Sequence, residues 1–157
     1  MNNVEYNLWL ENDLNTKGHT QWYYFKVVFK QDKQAKIQFN ILNLGKPYSL
    51  YKLGMKPVVW SRRKFEESGL SHSEVKQGWH RACEDIKYEQ NDIPRYTNPK
   101  FDGQGDNDKV LFNHNGYGEG IDNYYTLSFT YKFEYLEDEV WFAHAVPFTY
   151  TDQMLDL

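Results

Sequence analysis

The sequence contains little that would support a disulfide, a membrane span or a secretory leader. Of its 157 residues only Cys83 is a cysteine, so no disulfide can form within the chain, as is usual in a reducing compartment. No apolar run approaches the roughly 20 residues that a membrane-spanning helix needs. The opening stretch, MNNVEYNLWL, lacks the basic and apolar regions of a signal peptide. The sequence therefore predicts a soluble protein of the cytoplasm.

The sequence also lacks a strong excess of either positive or negative charge. The chain has 18 Lys and Arg against 22 Asp and Glu, a net charge of −4, and the two signs are interspersed. This balance excludes a strongly basic surface for nonspecific binding to nucleic acid, and it leaves no charged tail. We therefore expect neither a nucleic-acid partner nor a membrane partner.

The residue types that carry catalysis lack the spacing of a known site. The five histidines are scattered along the chain, at His19, His72, His80, His114 and His144. None belongs to an HExxH or HxxE pair or to a Cys/His zinc spacing, and we interpret them as structural or surface residues. Cys83 has no nucleophile signature around it, which favours a small buried hydrophobe.

Two glycine-rich stretches also fall short of ligand sites. GYGEG (116–120) follows no predicted strand, opens no helix and lacks the Lys-Ser/Thr of a phosphate-binding loop. DGQGDND (102–108) is acidic, but its spacing departs from that of a calcium-binding loop. Adjacent carboxylates elsewhere give no sign of converging on one cleft, as general acid/base catalysis requires. We therefore predict no catalytic residue and no metal ligand in this chain.

Aromatic residues, by contrast, are abundant and favour β-structure. Tyr, Phe and Trp make up 18% of the chain, and their flat side chains pack well on a pleated, half-buried surface. Alternating or continuous apolar runs predict strands, at residues 5–13, 20–30, 35–44, 56–60, 79–90, 124–135 and 140–148. We expect an antiparallel hairpin from the second and third of these segments, and another from the last two.

The connecting segments complete an all-β prediction. Ser61 and Gly69 are suited to begin and end a short helix. Residues 91–122 hold two Pro and five Gly, which predicts a long irregular loop with at most a brief strand at KVLF. About seven to nine strands without a long amphipathic helix indicate an antiparallel β-sandwich. We expect this sandwich to form a single domain over residues 1–157.

Several stretches, taken in order, resemble a known family. They are QWYYFKV (21–27), FNILNLGKPYSLYKLGMKPVVWS (39–61), GWHRACEDIKY (78–88), YTLSFTYKFEY (125–135) and VWFAHAVPFTYTD (140–152). The ordered set resembles the N-terminal domain of the cytosolic carboxypeptidases, the tubulin-processing branch of the M14 zinc carboxypeptidases. One departure is Phe148, where the family more often has Tyr.

The resemblance implies a β-sandwich that precedes, and packs against, an α/β zinc carboxypeptidase domain. In the family, that second domain removes glutamates from tubulin and other acidic-tailed proteins. Its zinc ligands and catalytic Glu follow the motif that here ends at Asp152, so no catalytic or zinc-binding position is carried over. Zinc is thus expected as the cofactor of a catalytic domain outside this chain. VPFTYTDQMLDL (146–157) is then expected to lead into that domain.

The resemblance also indicates which side chains meet the catalytic domain. Docking is expected to involve Phe148, Tyr150 and Asp152, with Trp79 and Arg81 as further candidates. An exposed apolar patch should mark such a docking face.

The basic cluster SRRK suggests a second kind of contact. Arg62, Arg63 and Lys64 are the candidates for contact with an acidic partner, such as tubulin or another acidic-tailed protein.

Two alternatives from other classes stay open. A free-standing β-sandwich module that binds protein or carbohydrate would use exposed aromatics, such as Trp9, Trp60 or Tyr117, for stacking. A solvent-facing row of aromatics on one sheet would favour that module, whereas a patch centred on the last strand and tail would favour docking. An isolated enzyme with a scattered site would need a deep cleft with two or more convergent His, Asp or Glu.

Overall fold

The computed structural model of the chain describes residues 4–16, 19–95 and 123–155. They contain eight strands in two four-stranded sheets. The strands are β1 (Val4–Leu8), β2 (Tyr24–Phe29), β3 (Ala35–Leu44), β4 (Val58–Ser61), β5 (His80–Arg81), β6 (Glu84–Pro94), β7 (Asn123–Phe133) and β8 (Asp138–Ala143). The all-β prediction is confirmed, and two four-stranded sheets with few, short helices are consistent with the predicted sandwich.

The chain divides into two compact units, each containing most of one sheet. The first unit comprises residues 1–21, 36–55 and 84–131, and the second comprises the intervening segments and residues 132–157. The prediction of one domain over residues 1–157 is not tested by this division and stays a prediction.

The first unit holds the sheet with strand order β1-β3-β7-β6. β3 is buried along most of its length because its alternating apolar side chains, Ile37, Phe39 and Ile41, all lie in the core. Phe39 packs against Phe129 of β7, with ring centroids 5.7 Å apart. β6 pairs antiparallel with β7.

The pairing of β1 with β3 corrects the prediction of a purely antiparallel fold. The two strands run parallel, with Val4 opposite Ile37 and Leu8 opposite Ile41. Parallel neighbours need a crossover connection of about a dozen residues or more rather than a tight turn. Here the connection contains β2, which belongs to the other sheet.

The second unit holds the sheet with strand order β2-β8-β4-β5, and its neighbouring strands are antiparallel. Aromatic stacks fill its core. The rings of Phe29 and Phe133 lie 4.4 Å apart, and those of Phe25 and Phe142 lie 5.1 Å apart. Such pairs add to the stabilisation that burial of their apolar area provides.

Both predicted hairpins are wrong. β2 and β3 lie in different sheets, as do β7 and β8. The alternation of apolar residues predicted each strand but carried no information about its partner. A polar turn can equally lead a chain into another sheet, as it does after β7, where Glu137 adopts a left-handed conformation (φ 55°).

The strand predicted at residues 79–90 is interrupted. β5 and β6 lie in different sheets. Cys83, between them, has a φ of 80°, and Asp85, the second residue of β6, has a φ of 50°. Non-glycine residues seldom adopt such left-handed angles, and they break a regular ladder. Asp85 is held by the Thr130 hydroxyl, which donates to its carboxylate at 2.9 Å, and by Lys36, whose Nζ lies 2.8 Å away.

The predicted short helix is confirmed as α1 (Arg62–Ser68). Ser61 accepts a hydrogen bond from the backbone N–H of Lys64, and Gly69 ends the helix with a φ of 72°. The buried carboxylate of Asp138 accepts from the Ser61 hydroxyl at 2.7 Å and from the Arg63 backbone N–H at 3.0 Å. These bonds satisfy donors that the first turn of a helix leaves unpaired.

The remaining helices are short. They are two 3₁₀ helices, Leu50–Leu53 and His72–Gly78, and α2 (Tyr150–Leu155).

The predicted loop at residues 91–122 begins too early, because Asn91 to Pro94 continue β6. The predicted strand at KVLF, both glycine-rich stretches, His114 and Tyr117 lie outside the described residues.

Candidate docking surface

The segment that follows β8 exposes a series of apolar side chains. Phe148 and Tyr150 are 62% and 75% exposed, and Val146 and Met154 are also open to solvent. We call residues 144–155 the junction segment. Exposed aromatic and apolar groups of this density are unusual on a surface that faces only water.

Asp152 holds the junction segment in shape. Its carboxylate accepts hydrogen bonds from the backbone N–H of Thr149 at 2.7 Å and from the Thr149 hydroxyl at 2.8 Å, and its own N–H donates to Thr149 Oγ1 at 3.3 Å. This reciprocal pair caps the start of α2. The bonds from Thr149, together with Lys76, hold the pKa of the Asp152 carboxyl below its usual value.

Lys76 ties the junction segment to the second 3₁₀ helix. Its Nζ lies 3.1 Å from Asp152 Oδ1 and 4.8 Å from the centroid of the Phe148 ring. A cation at that position is attracted both by the carboxylate and by the face of the ring. Phe148 is therefore positioned, although most of its surface is exposed.

The second 3₁₀ helix is itself anchored on Trp60. The indole N–H of Trp60 donates to the carbonyl of Val75 at 3.0 Å, and its ring packs against Phe65 and Trp141. At Gly78 an added Cβ would lie 2.5 Å from Trp60 Nε1, so only glycine fits there. This packing fixes the position of Lys76.

Trp79 and Arg81 come after the second 3₁₀ helix in the chain, and their surroundings differ from each other. Trp79 is partly buried, and its ring centroid lies 6.2 Å from that of Tyr24, which in turn lies 6.4 Å from Trp22. Tyr24 and Trp22 are each about half exposed. Arg81 is exposed, and its guanidinium donates to the backbone carbonyl of Lys56. The structure thus places a row of three aromatics along the start of β2.

The cations of α1 are already matched by neighbouring groups. Arg62 lies 3.9 Å from both Glu66 and Glu139, and Arg63 lies 3.7 Å from Glu66. Lys64 Nζ lies 3.4 Å from His80 Nε2. Contact of this cluster with an acidic partner stays a prediction, but such a partner would have to compete with carboxylates of the chain itself.

The described residues contain no candidate metal centre. Within residues 4–16, 19–95 and 123–155, no group of three or more His, Cys, Asp or Glu is close enough to hold an ion. In the same ranges, no helix has the length and apolar character needed to cross a membrane.

Two features escaped the sequence interpretation. One is the positioning role of Lys76. The other is an exposed apolar group formed by Leu50 and Leu53 of the first 3₁₀ helix and by Tyr48 just before it. A signal for the second was present, because Ser49 and Gly54 bracket one helical turn and a turn that short can bury only one of its faces.

The fold is shared with a solved metallo-carboxypeptidase. The structure of the Pseudomonas aeruginosa enzyme, in complex with (2-guanidinoethylmercapto)succinic acid, aligns with 97% of this chain and 27% of its own length. The TM-score is 0.50 and the identity 17%, so this likeness concerns the fold alone. The fold is thus that of an all-β domain, and this solved structure contains a similar one.

Sequence comparison identifies the family. Residues 1–102 match the family model described as the cytosolic carboxypeptidase N-terminal domain. Human cytosolic carboxypeptidase 2 is 37% identical over 148 residues, and mouse cytosolic carboxypeptidase 3 is 33% identical over 150. The chain belongs to this family, as the motifs predicted. Each alignment covers 94% of this chain but only 13% and 12% of the two relatives.

Proposed function

We propose that this chain is the non-catalytic N-terminal domain of a cytosolic zinc metallocarboxypeptidase. The catalytic domain of that enzyme would hold the zinc and remove glutamates from tubulin or other acidic protein tails in the cytoplasm. The domain described here would dock on the catalytic domain, support its fold and help to shape substrate access. The observation that carries the docking role is the junction segment, which presents exposed apolar side chains in a fixed arrangement.

We infer from the length of the relatives which partner covers this surface. The chain spans only 13% of human cytosolic carboxypeptidase 2, so most of a relative lies outside the matched region. A further domain of the same protein is therefore the partner best placed to cover residues near the end of the matched segment. Aromatic anchors in desolvated pockets contribute most of the binding energy in such interfaces, and Phe148 and Tyr150 are the anchors we propose.

Asp152, Trp79 and Arg81 have secondary roles in this proposal. Asp152 positions Phe148 and Tyr150 through α2 and Lys76 rather than by its own contact with the partner. Trp79 and Arg81 lie on the β5 side of the same unit, and we expect them at the rim of the docking face.

The docking role is tested in the parent enzyme. Replacing Phe148 and Tyr150 together by Ser should lower the melting temperature of the enzyme by several degrees and speed proteolytic cleavage between the domains. The matched control is Leu136→Ser, another exposed apolar residue of the same unit, which should change neither property. Equal effects of both variants would contradict the proposal.

The catalytic part of the proposal needs its own experiment. The parent enzyme should release glutamate from polyglutamylated tubulin, detected by mass spectrometry, and a zinc chelator should stop the release. The 157-residue chain alone, supplied with zinc, should release none. Zinc-dependent turnover by the pure chain would overturn its non-catalytic role.

A second candidate function is favoured by the aromatic row of Trp22, Tyr24 and Trp79. Neighbouring aromatics open to solvent are suited to stack on sugar rings. Of the aromatics that the sequence predicts for this role, Trp60 packs against its neighbours, while Trp9 is exposed and contacts Tyr124 edge to face. Quenching of tryptophan fluorescence by an oligosaccharide panel, lost in Tyr24→Ala, would support this module over the docking domain.

A further inference from the structure

The first 3₁₀ helix and its flanks expose an unusual group of apolar side chains. Tyr48, Leu50 and Leu53 are 89%, 63% and 82% exposed. They lie within residues 46–55, in the first unit, and we call this segment the lysine-leucine turn. None of these residues belongs to the junction segment, which lies in the second unit.

The lysine-leucine turn is a defined structure. Ser49 Oγ accepts from the backbone N–H of Tyr51 at 3.3 Å, and the N–H of Met55 donates to the carbonyl of Leu50 at 3.0 Å. Gly54 closes the turn with a φ of 92°. The three apolar side chains therefore stand on an ordered backbone.

A stack of tyrosines anchors the turn to the sheet. Tyr51 is buried, and its ring is stacked on Tyr88, which in turn is stacked on Tyr125 at 5.5 Å. The Tyr88 hydroxyl donates to the carbonyl of Lys46, and burial raises the pKa of Tyr88 well above its usual value. Because Tyr51 takes the inward position, Leu50 and Leu53, three residues apart, share an outward face.

The charge beside these side chains is positive, and no carboxylate of the described residues pairs with it. Lys46 and Lys52 are exposed, residues 46–55 contain no Asp or Glu, and neither lysine makes an ion pair with any described residue. Lys52 is held in place, with Nζ 3.0 Å from the carbonyl of Pro47 and 5.3 Å from the Tyr125 ring centroid. Exposed Glu89 and Asp92 of β6, the strand that packs against the turn, do not pair with either lysine.

The basic cluster of α1 provides the contrast. There Arg62 and Arg63 face Glu66 and Glu139, so a partner's carboxylates would have to displace groups already in position. At the lysine-leucine turn a carboxylate would meet two cations that no carboxylate of the described residues already pairs with. Charge complementarity thus favours the turn over α1 as the place where an acidic partner binds.

We propose that the lysine-leucine turn is a docking site for an acidic peptide segment with leucine or phenylalanine among its carboxylates. The carboxylates would meet Lys46 and Lys52, and the apolar side chain would pack against Tyr48, Leu50 and Leu53. The proposal deepens the proposed function, since it rests on a partner with an acidic tail. It assigns the recognition of that tail to a surface of this chain.

The probe is a fluorescein-labelled peptide, EELEEFEE, titrated with the 157-residue chain and followed by fluorescence anisotropy. We expect saturable binding that Leu50→Ser with Leu53→Ser weakens about tenfold or more, and that Lys46→Gln with Lys52→Gln weakens several-fold. The matched control, Arg62→Gln with Arg63→Gln, should bind as the unaltered chain does. Lys46, Leu50, Lys52 and Leu53 are exposed, and Arg62 and Arg63 are partly exposed. Circular dichroism should be used to check that each variant is folded.

Each other outcome would overturn the proposal. Equal loss in the α1 control would mean nonspecific charge attraction, and equal binding of an octaglutamate peptide would mean that the apolar side chains make no contact. Stronger binding of an RNA oligonucleotide or of anionic vesicles would assign the turn to another class of partner. A dimer lost in Leu50→Ser with Leu53→Ser would assign it to a second copy of the chain.

Failure here is distinguishable from failure of the proposed function. If the peptide does not bind but Phe148 and Tyr150 still stabilise the parent enzyme and tubulin is still deglutamylated, only the lysine-leucine turn proposal fails. If the peptide binds as expected but the parent enzyme has no carboxypeptidase activity, only the enzymatic function fails.

Discussion

The lysine-leucine turn and the junction segment both present apolar side chains to solvent, but they are held by different forces. The turn depends on buried aromatic stacking and on a glycine in a left-handed conformation. The junction segment depends on charge, through Asp152 and Lys76. Two surfaces with the same outward character should therefore respond differently to packing mutations, to salt and to pH.

The largest effect is expected from removing the centre of the tyrosine stack. Tyr88→Ala should lower the free energy of unfolding by about 3 kcal/mol, because a buried aromatic ring and its hydrogen bond to Lys46 are lost. Tyr88→Phe, which keeps the ring, should lower it by about 1 kcal/mol. Urea denaturation measures both. If the two variants were equally unstable, the hydroxyl rather than the stack would hold the turn.

A smaller effect is expected from the glycine that closes the turn. Gly54→Ala should lower the free energy of unfolding by about 1 kcal/mol, because a Cβ is unfavourable at positive φ although no atom lies within 4 Å to clash with it. Gly69→Ala, at the end of α1, is the matched control, since Gly69 also has a positive φ and open space around it. Thermal denaturation should show similar losses for the two, and a neutral Gly54→Ala would show that the turn is not held by this conformation.

The junction segment should be sensitive to the loss of a single cation. Lys76→Gln removes both the contact with the Phe148 ring and the ion pair with Asp152, and the loss of stability should be small because Lys76 and Phe148 are exposed. Limited proteolysis should cut residues 144–155 a few-fold faster while global stability changes little. Lys26→Gln, which loses the same two kinds of contact with Trp141 and Glu139, is the control and should leave that cleavage rate unchanged.

The smallest expected effect is the pH dependence of the stabilisation that Asp152 provides. Because the pKa of Asp152 is lower in the folded chain than in the unfolded one, its stabilising contribution is complete above the unfolded pKa of about 4 and is lost as the pH falls through the folded value. Melting temperatures of the unaltered chain and of Asp152→Asn should therefore differ at neutral pH and converge in acid. A constant difference across the whole range would exclude this linkage.

Much of the local structure could be predicted from the sequence, because its causes are local. Ser61 and Gly69 begin and end α1 as expected, since a cap is a contact between near neighbours in the chain. The prediction that Phe148 and Tyr150 are candidates for docking came from the family motif, and the structure shows both to be exposed.

What could not be predicted depends on partners distant in the chain. Tyr51 is buried only because Tyr88 and Tyr125 supply the stack, and no pattern near residue 51 contains that information. The prediction of strand pairing failed for the same reason, because a strand with one apolar face can belong to either sheet. Lys76 is positioned by the ring of Phe148 and the carboxylate of Asp152, which lie more than 70 residues later in the chain.

The alternation of the two compact units along the chain has a consequence for inheritance and engineering. Three segments of each unit follow one another in turn, so the backbone passes from one unit to the other five times. Neither unit is a contiguous stretch of sequence, and no single exon boundary, recombination point or truncation could transfer one without fragments of the other. Such interleaved contacts also slow folding, because distant segments must meet before either core is complete. The two sheets must therefore be gained, lost and transplanted together.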